Sequence, residues 1–333
     1  MDSDFPLAET DEDLRRLVSA LESLVDGELA VTQLIACGPK VIQPLRDFLL
    51  HGRPRSVFQP RMRAVEALAG LGAKSVLIEY LLATKSVADP QVRAAEESVE
   101  NTTARRLSAW RDQEAFQVLL AVCRRRLLPG AVETLAEHQR AEAIPCFDRA
   151  LENDFCRPAA EEGFRRLGIH ARRALVLSAT TPLPYPEEER PSSIRRRRSA
   201  LALLTEMGIE SEDWPELRCL LLGSDAEMRA RLAQLAAVTA NSDDRSAAAT
   251  NLVASLPELP WYVREEAENA LVALAPESMA AVQDEITRRS SLPTLVRAAD
   301  EVLRTLVRIN TKFGSHLLHP PRGGDVSRSR QTG

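Results

Sequence analysis

Aromatic side chains are scarce in this chain. Its 333 residues include eight Phe, three Trp and three Tyr, 4% in all. Sheets draw on aromatic and β-branched residues, so this poverty argues against a β-rich protein. Lysine is scarcer still and occurs only at positions 40, 74, 85 and 312. Cysteine occurs five times, as Cys37, Cys123, Cys146, Cys156 and Cys219, and no two stand at CxxC spacing. The odd count and the apolar settings exclude a disulfide frame. They read as reduced core thiols of a cytoplasmic protein. No stretch approaches 18 uninterrupted apolar residues, so no transmembrane helix is expected. The acidic start MDSDFPLAETDED lacks the apolar segment of a secretory signal.

Familiar catalytic signatures are missing as well. There is no GxSxG elbow, no Walker loop and no GxGxxG. Of the five His, only His316 and His319 are spaced to share a helix face, and Pro320 and Pro321 follow at once. Some helical-repeat enzymes bind iron through repeated His-Glu dipeptides; none occurs here. No metal and no cofactor are expected. Cys123 precedes Arg124, Arg125 and Arg126, a setting that can lower a thiol pKa, but its apolar stripe LLAVC reads as core. The pairs Glu96–Glu97, Glu161–Glu162 and Glu265–Glu266 lie near Arg93, Arg165 and Arg264 and read as solvated faces with i,i+4 ion pairs.

What the chain has is Ala, Leu and Arg. Ala and Leu favour helices. Net charge is −5, which provides no global field for nucleic acid or anionic membrane. The distribution is uneven. Residues 1–30 carry nine acids against two Arg, 105–198 carry eighteen Arg against thirteen acids, and 199–300 carry eight Arg against seventeen acids. A basic middle thus lies between acidic flanks.

A repeat is found by its turns. Gly38, Gly72, His138, Gly168, Gly208 and Ala275 each follow one apolar-periodic helix and precede another. Intervals of 34, 66, 30, 40 and 67 residues separate them. The two long intervals are double units, whose missing turns fall near Trp110–Asp112 and Asn241–Asp243. Eight helical pairs fit. Val41, Ile42, Leu45, Phe48 and Leu49 form one core-facing stripe, and Val263, Ala267, Ala270, Leu271 and Leu274 form another. Glycine at the turn suits a left-handed helix terminus.

Four segments carry an apolar-Arg pair with a small residue soon after: Met62–Arg63, Val92–Arg93, Met228–Arg229 and Val263–Arg264. In these the chain resembles the bacterial type of HEAT-like helical-repeat protein over about residues 28–309. The pattern is degenerate around 100–160. The resemblance implies an all-α fold, an α–α superhelix in which second helices line a concave face. Stacked pairs are needed in any case, because one pair cannot bury its own apolar face.

The expected organisation is an acidic segment and capping helix over 1–26, an array over 27–178, a Pro-rich linker over 179–193, a second array over 194–310 and a disordered tail over 311–333. The expected function is a non-enzymatic, cytoplasmic protein-interaction scaffold. Its acidic protein partner would meet Arg124, Arg125, Arg149, Arg172 and Arg173. The alternative is a nucleic-acid binder or base-processing protein using the same Arg-rich middle, although aromatic residues for base stacking are sparse there.

Overall fold

The computed structural model describes residues 10–52, 55–83, 87–182, 189–223 and 225–318. Among them there is no strand, and the fold is all-α. The chain forms two compact units divided between Ala171 and Arg172.

The first unit contains α1 (Asp11–Ala20), α2 (Gly27–Ala36), α3 (Ile42–His51), α4 (Gln59–Gly70), α5 (Lys74–Leu82), α6 (Pro90–Arg106), α7 (Gln113–Arg125), α8 (Pro129–His138), α9 (Ile144–Ala150) and α10 (Arg157–Leu167). Helices alternate between two rows. In one row α2, α4, α6, α8 and α10 pack in succession; in the other α1, α3, α5, α7 and α9 do so. This is the α–α solenoid arrangement, in which each pair buries its stripe against the next.

The second unit contains α11 (Arg172–Thr180), α12 (Pro191–Met207), α13 (Trp214–Leu217), α14 (Ala226–Thr239), α15 (Ser242–Ser255), α16 (Trp261–Ala273), α17 (Glu277–Ser290), α18 (Thr294–Ala299) and α19 (Glu301–Leu318). Here α12, α14, α16 and α19 form one row. The other joins α11, α13 with its 3-10 continuation at Arg218–Leu222, α15 and α17. In chain order, α2 to α9 supply the first four of the eight expected pairs and α12 to α17 the last three, while α10 and α11 fall on either side of the division.

The punctuation explains why this sequence repeats. Gly38, Gly72, Gly168 and Gly208 all have positive φ at the turn inside a pair. At His138 the left-handed residue is its neighbour Gln139. Proline stands in the first turn of α4, α6, α8, α10 and α12, where no N–H is required. Asp112, Asp225 and Asn241 side chains accept amides at the starts of α7, α14 and α15. Of the two expected stripes, Val263, Ala267, Ala270, Leu271 and Leu274 are all buried; Val41, Leu45 and Leu49 are buried, while Ile42 and Phe48 are half-buried.

Three expectations differ from what is observed. The units divide inside the fifth pair, before the Pro-rich segment, because α11 packs on α12 and α13. The capping helix stops at Ala20, and residues 21–26 turn, with the Ser23 hydroxyl accepting from the Asp26 amide. The last helix continues through Leu318, because Leu306, Ile309 and Phe313 are buried. His316 lies in that helix; His319 and most of the expected tail fall outside the described residues, as do 183–188 of the expected linker. Cys219 is exposed, unlike a core thiol, and all five cysteines are free. No described helix is long and apolar enough to cross a membrane.

Candidate functional site

The Arg-rich composition has two structural causes. Some cations join repeats through ion pairs one repeat apart. Arg46 pairs with Glu79, Arg63 with Glu28, Lys74 with Asp112 and Glu114, Arg106 with Glu66, and Arg264 with Glu301. Such exposed pairs contribute roughly 0–1 kcal/mol each. Others satisfy the carbonyls left open at helix C-termini. The ends of α1, α3, α5, α7 and α11 receive guanidinium donors from Arg63, Arg61, Arg125, Arg149 and Arg197 respectively. A cation placed there also meets the negative end of the helix dipole, worth about 0.3–1 kcal/mol.

The five expected site residues therefore separate. In the second unit, Arg172 pairs with Glu210 at 2.5 Å and Asp213 at 3.2 Å, and Arg173 pairs with Glu216 at 2.5 Å. Their charge is matched. In the first unit, Arg124 and Arg125 form the last turn of α7, whose opposite face buries Phe116, Leu119 and Cys123. Arg125 donates from Nη2 to the Leu81 carbonyl at 2.6 Å, and Arg149 donates from Nη1 to the Arg124 carbonyl at 3.1 Å. α9 presents Arg149 because Phe147 and Ala150 are its buried positions. Arg124 has no side-chain partner among the described residues, and none of the three is paired with a carboxylate there. Three positive charges thus meet at the adjoining ends of α7 and α9. Beside them Leu82, whose carbonyl also accepts from Arg125, is exposed.

A second constellation escaped the sequence reading. Glu96 is buried, at 4% exposure, and so is Glu100, at 1%. The reading of Glu96–Glu97 as a solvated pair is corrected for Glu96. It accepts from Arg61 and, at 3.1 Å, from the Tyr80 hydroxyl, while Glu100 pairs with Arg126. The Arg124–Arg126 run is therefore split, because Arg126 turns inward. Burial pushes the Tyr80 phenol well above its ordinary value, against the pull of Arg61, so it remains a hydroxyl donor. Burial also lowers the Arg61 pKa. The signal was present: Ala95, Glu96, Val99, Glu100 and Thr103 follow the spacing of a core stripe, and all are buried on α6.

The thiols near this surface are not poised as nucleophiles. Cys123 is raised by a hydrogen bond with Cys146 and by burial, and Cys156 is pushed up to about 11, mainly by burial. Among the described residues no group of three or more His, Cys, Asp or Glu is arranged to hold a metal ion.

No family model matches the chain, and no curated protein matches it. Among solved structures it is similar to human deoxyhypusine hydroxylase in complex with glycerol. The identity is 19%, the likeness covers 86% of this chain and 99% of that one, and the TM-score is 0.28. That protein is an enzyme, and this finding overturns the expectation of a non-enzymatic scaffold: missing catalytic signatures do not make the chain a non-enzyme. At this TM-score the likeness assigns no activity to the chain.

Proposed function

We propose that this chain recognises an acidic segment of a protein through Arg124, Arg125 and Arg149, on a HEAT-like helical-repeat frame. The reading assigns recognition, not the presence or absence of catalysis. One observation carries it: among the described residues these three guanidiniums lack carboxylate partners, whereas Arg172 and Arg173 are matched with acids. Arg125 and Arg149 are held by backbone carbonyls and so present their charge with little further loss of side-chain entropy. Leu82 adds an apolar contact, which favours a segment mixing carboxylates with aliphatic residues. The free thiols suit a reducing, cytoplasmic compartment.

The test uses the full chain and a short fluorescent Glu/Leu peptide, with duplex DNA of similar charge as competitor. Arg124→Glu should weaken peptide binding about tenfold, and Arg172→Glu with Arg173→Glu should leave it unchanged. Tighter binding of DNA than of peptide, or indifference to Arg124→Glu, would reject the proposal.

A further inference from the structure

A cavity of about 430 Å³ opens where the chain leaves α3 and enters α4. Phe48, Val57 and Pro60 give it apolar walls. Gly52 also lines it; a Cβ there would lie 2.3 Å from the Phe48 carbonyl oxygen. The volume falls in the range of small-ligand sites, about 300–1,000 Å³.

Among the described residues its polar groups are few and uneven. Arg61 lines the cavity with only 7% of its side chain exposed. Its two terminal nitrogens donate to Glu96 and to the Leu49 carbonyl, but its Nε–H has no acceptor. A buried donor left without a partner costs about 1–3 kcal/mol. At the mouth, Arg55 pairs with Glu22 at 3.2 Å, and both side chains are substantially exposed. An ion pair of that kind is worth roughly 0–1 kcal/mol. Glu22 is therefore an easily displaced carboxylate standing on a cation at the entrance to an apolar cavity.

We propose that this cavity binds a small apolar carboxylate. The aliphatic or aromatic body would lie against Phe48, Val57 and Pro60. The carboxylate would replace Glu22 on Arg55. This site is separate from the Arg124 cluster and does not depend on it.

Hexanoate, hexanol and hexylamine serve as probes of the full chain, with affinity read by saturation-transfer NMR titration. Hexanoate should bind more tightly than either of the others. Glu22→Gln should tighten hexanoate binding several-fold, because the internal competitor is gone; a purely structural Glu22 would give no such gain. Val57→Asp, at a position already 54% exposed, should abolish binding while the far-UV circular dichroism stays unchanged. The proposal is overturned by no binding, by hexanol or hexylamine binding as tightly as hexanoate, by unchanged affinity in Glu22→Gln, or by binding retained in Val57→Asp.

Discussion

Arg149 donates from Nη1 to the backbone carbonyl of Arg124, 3.1 Å away. One arginine thus closes the end of the helix that carries the other. The link is physical as well as positional: α7 would otherwise end with open carbonyls, and the same contact brings a second positive charge to the turn that carries Arg124. Stability and charge presentation are coupled at Arg149 but separate at Arg124.

The two residues should therefore respond differently to charge reversal. Arg124→Glu removes no side-chain contact and should change stability by no more than about 0.5 kcal/mol. Arg149→Glu removes a helix-terminal cation and sets a carboxylate against carbonyl oxygens. It should cost about 1 kcal/mol. Urea unfolding of both variants tests this; equal losses would show that the Arg149 contact contributes nothing.

Gly163 tests the packing beneath that surface. A Cβ there would lie 2.7 Å from Phe147 Cζ and 2.8–2.9 Å from two further ring carbons. Phe147 is fully buried and packs edge-on against Phe164, with centroids 5.7 Å apart. Gly163→Ala gains about 1 kcal/mol of helix propensity and loses roughly 1–3 kcal/mol to overpacking. The loss should win, and Phe147→Leu in the same chain should restore most of it. A Gly163→Ala protein more stable than the parent would mean that the ring moves freely.

These residues also show how far the sequence was legible. Periodicity and turn glycine marked the pairs because both are local: Gly72 and Gly168 need positive φ whatever packs around them. The positions of Arg124, Arg125 and Arg149 were legible as a basic region, but their fates were not. Whether an arginine meets Glu210, as Arg172 does, or a carbonyl, as Arg149 does, depends on residues 38 or 25 positions away. Glu96 was hardest to place. Composition treats a helical glutamate as solvated, and only its registration with Ala95 and Val99 marks it as buried.

His138 gives the chain a pH dependence near neutrality. Its ring packs 5.3 Å from that of Phe116, and its Nε2 is buried without a partner. Burial first, then the neighbouring charges of Arg140 and Arg111, hold its pKa below the ordinary value. The unfolded chain therefore takes up this proton at higher pH than the folded one. The contribution is fully present above the unfolded value of about 6.5 and declines as pH falls toward the folded value. The urea midpoint should drop from about pH 7.5 to about pH 5.5, and His138→Phe should flatten that part of the profile. An unchanged slope in His138→Phe would assign the dependence to another group.

The buried pair of Arg61 and Glu96 makes the largest demand on stability. Their side chains are only 7% and 5% exposed, and the Tyr80 hydroxyl uses the second oxygen of Glu96. Glu96→Gln leaves the guanidinium buried without its hydrogen-bonded carboxylate, with only the more weakly coupled Glu100 charge nearby. It should cost about 3–5 kcal/mol, the usual result of breaking a buried pair from one side. Removing both charges together tests whether the pair itself stabilises. Arg61→Met with Glu96→Leu and Tyr80→Phe replaces the network by apolar volume, and comparable exchanges are neutral or stabilising by roughly 1–4 kcal/mol. The triple variant should therefore be at least as stable as the parent in urea, although the single one is crippled. A triple variant as unstable as Glu96→Gln would show that these charges contribute to stability beyond neutralising one another.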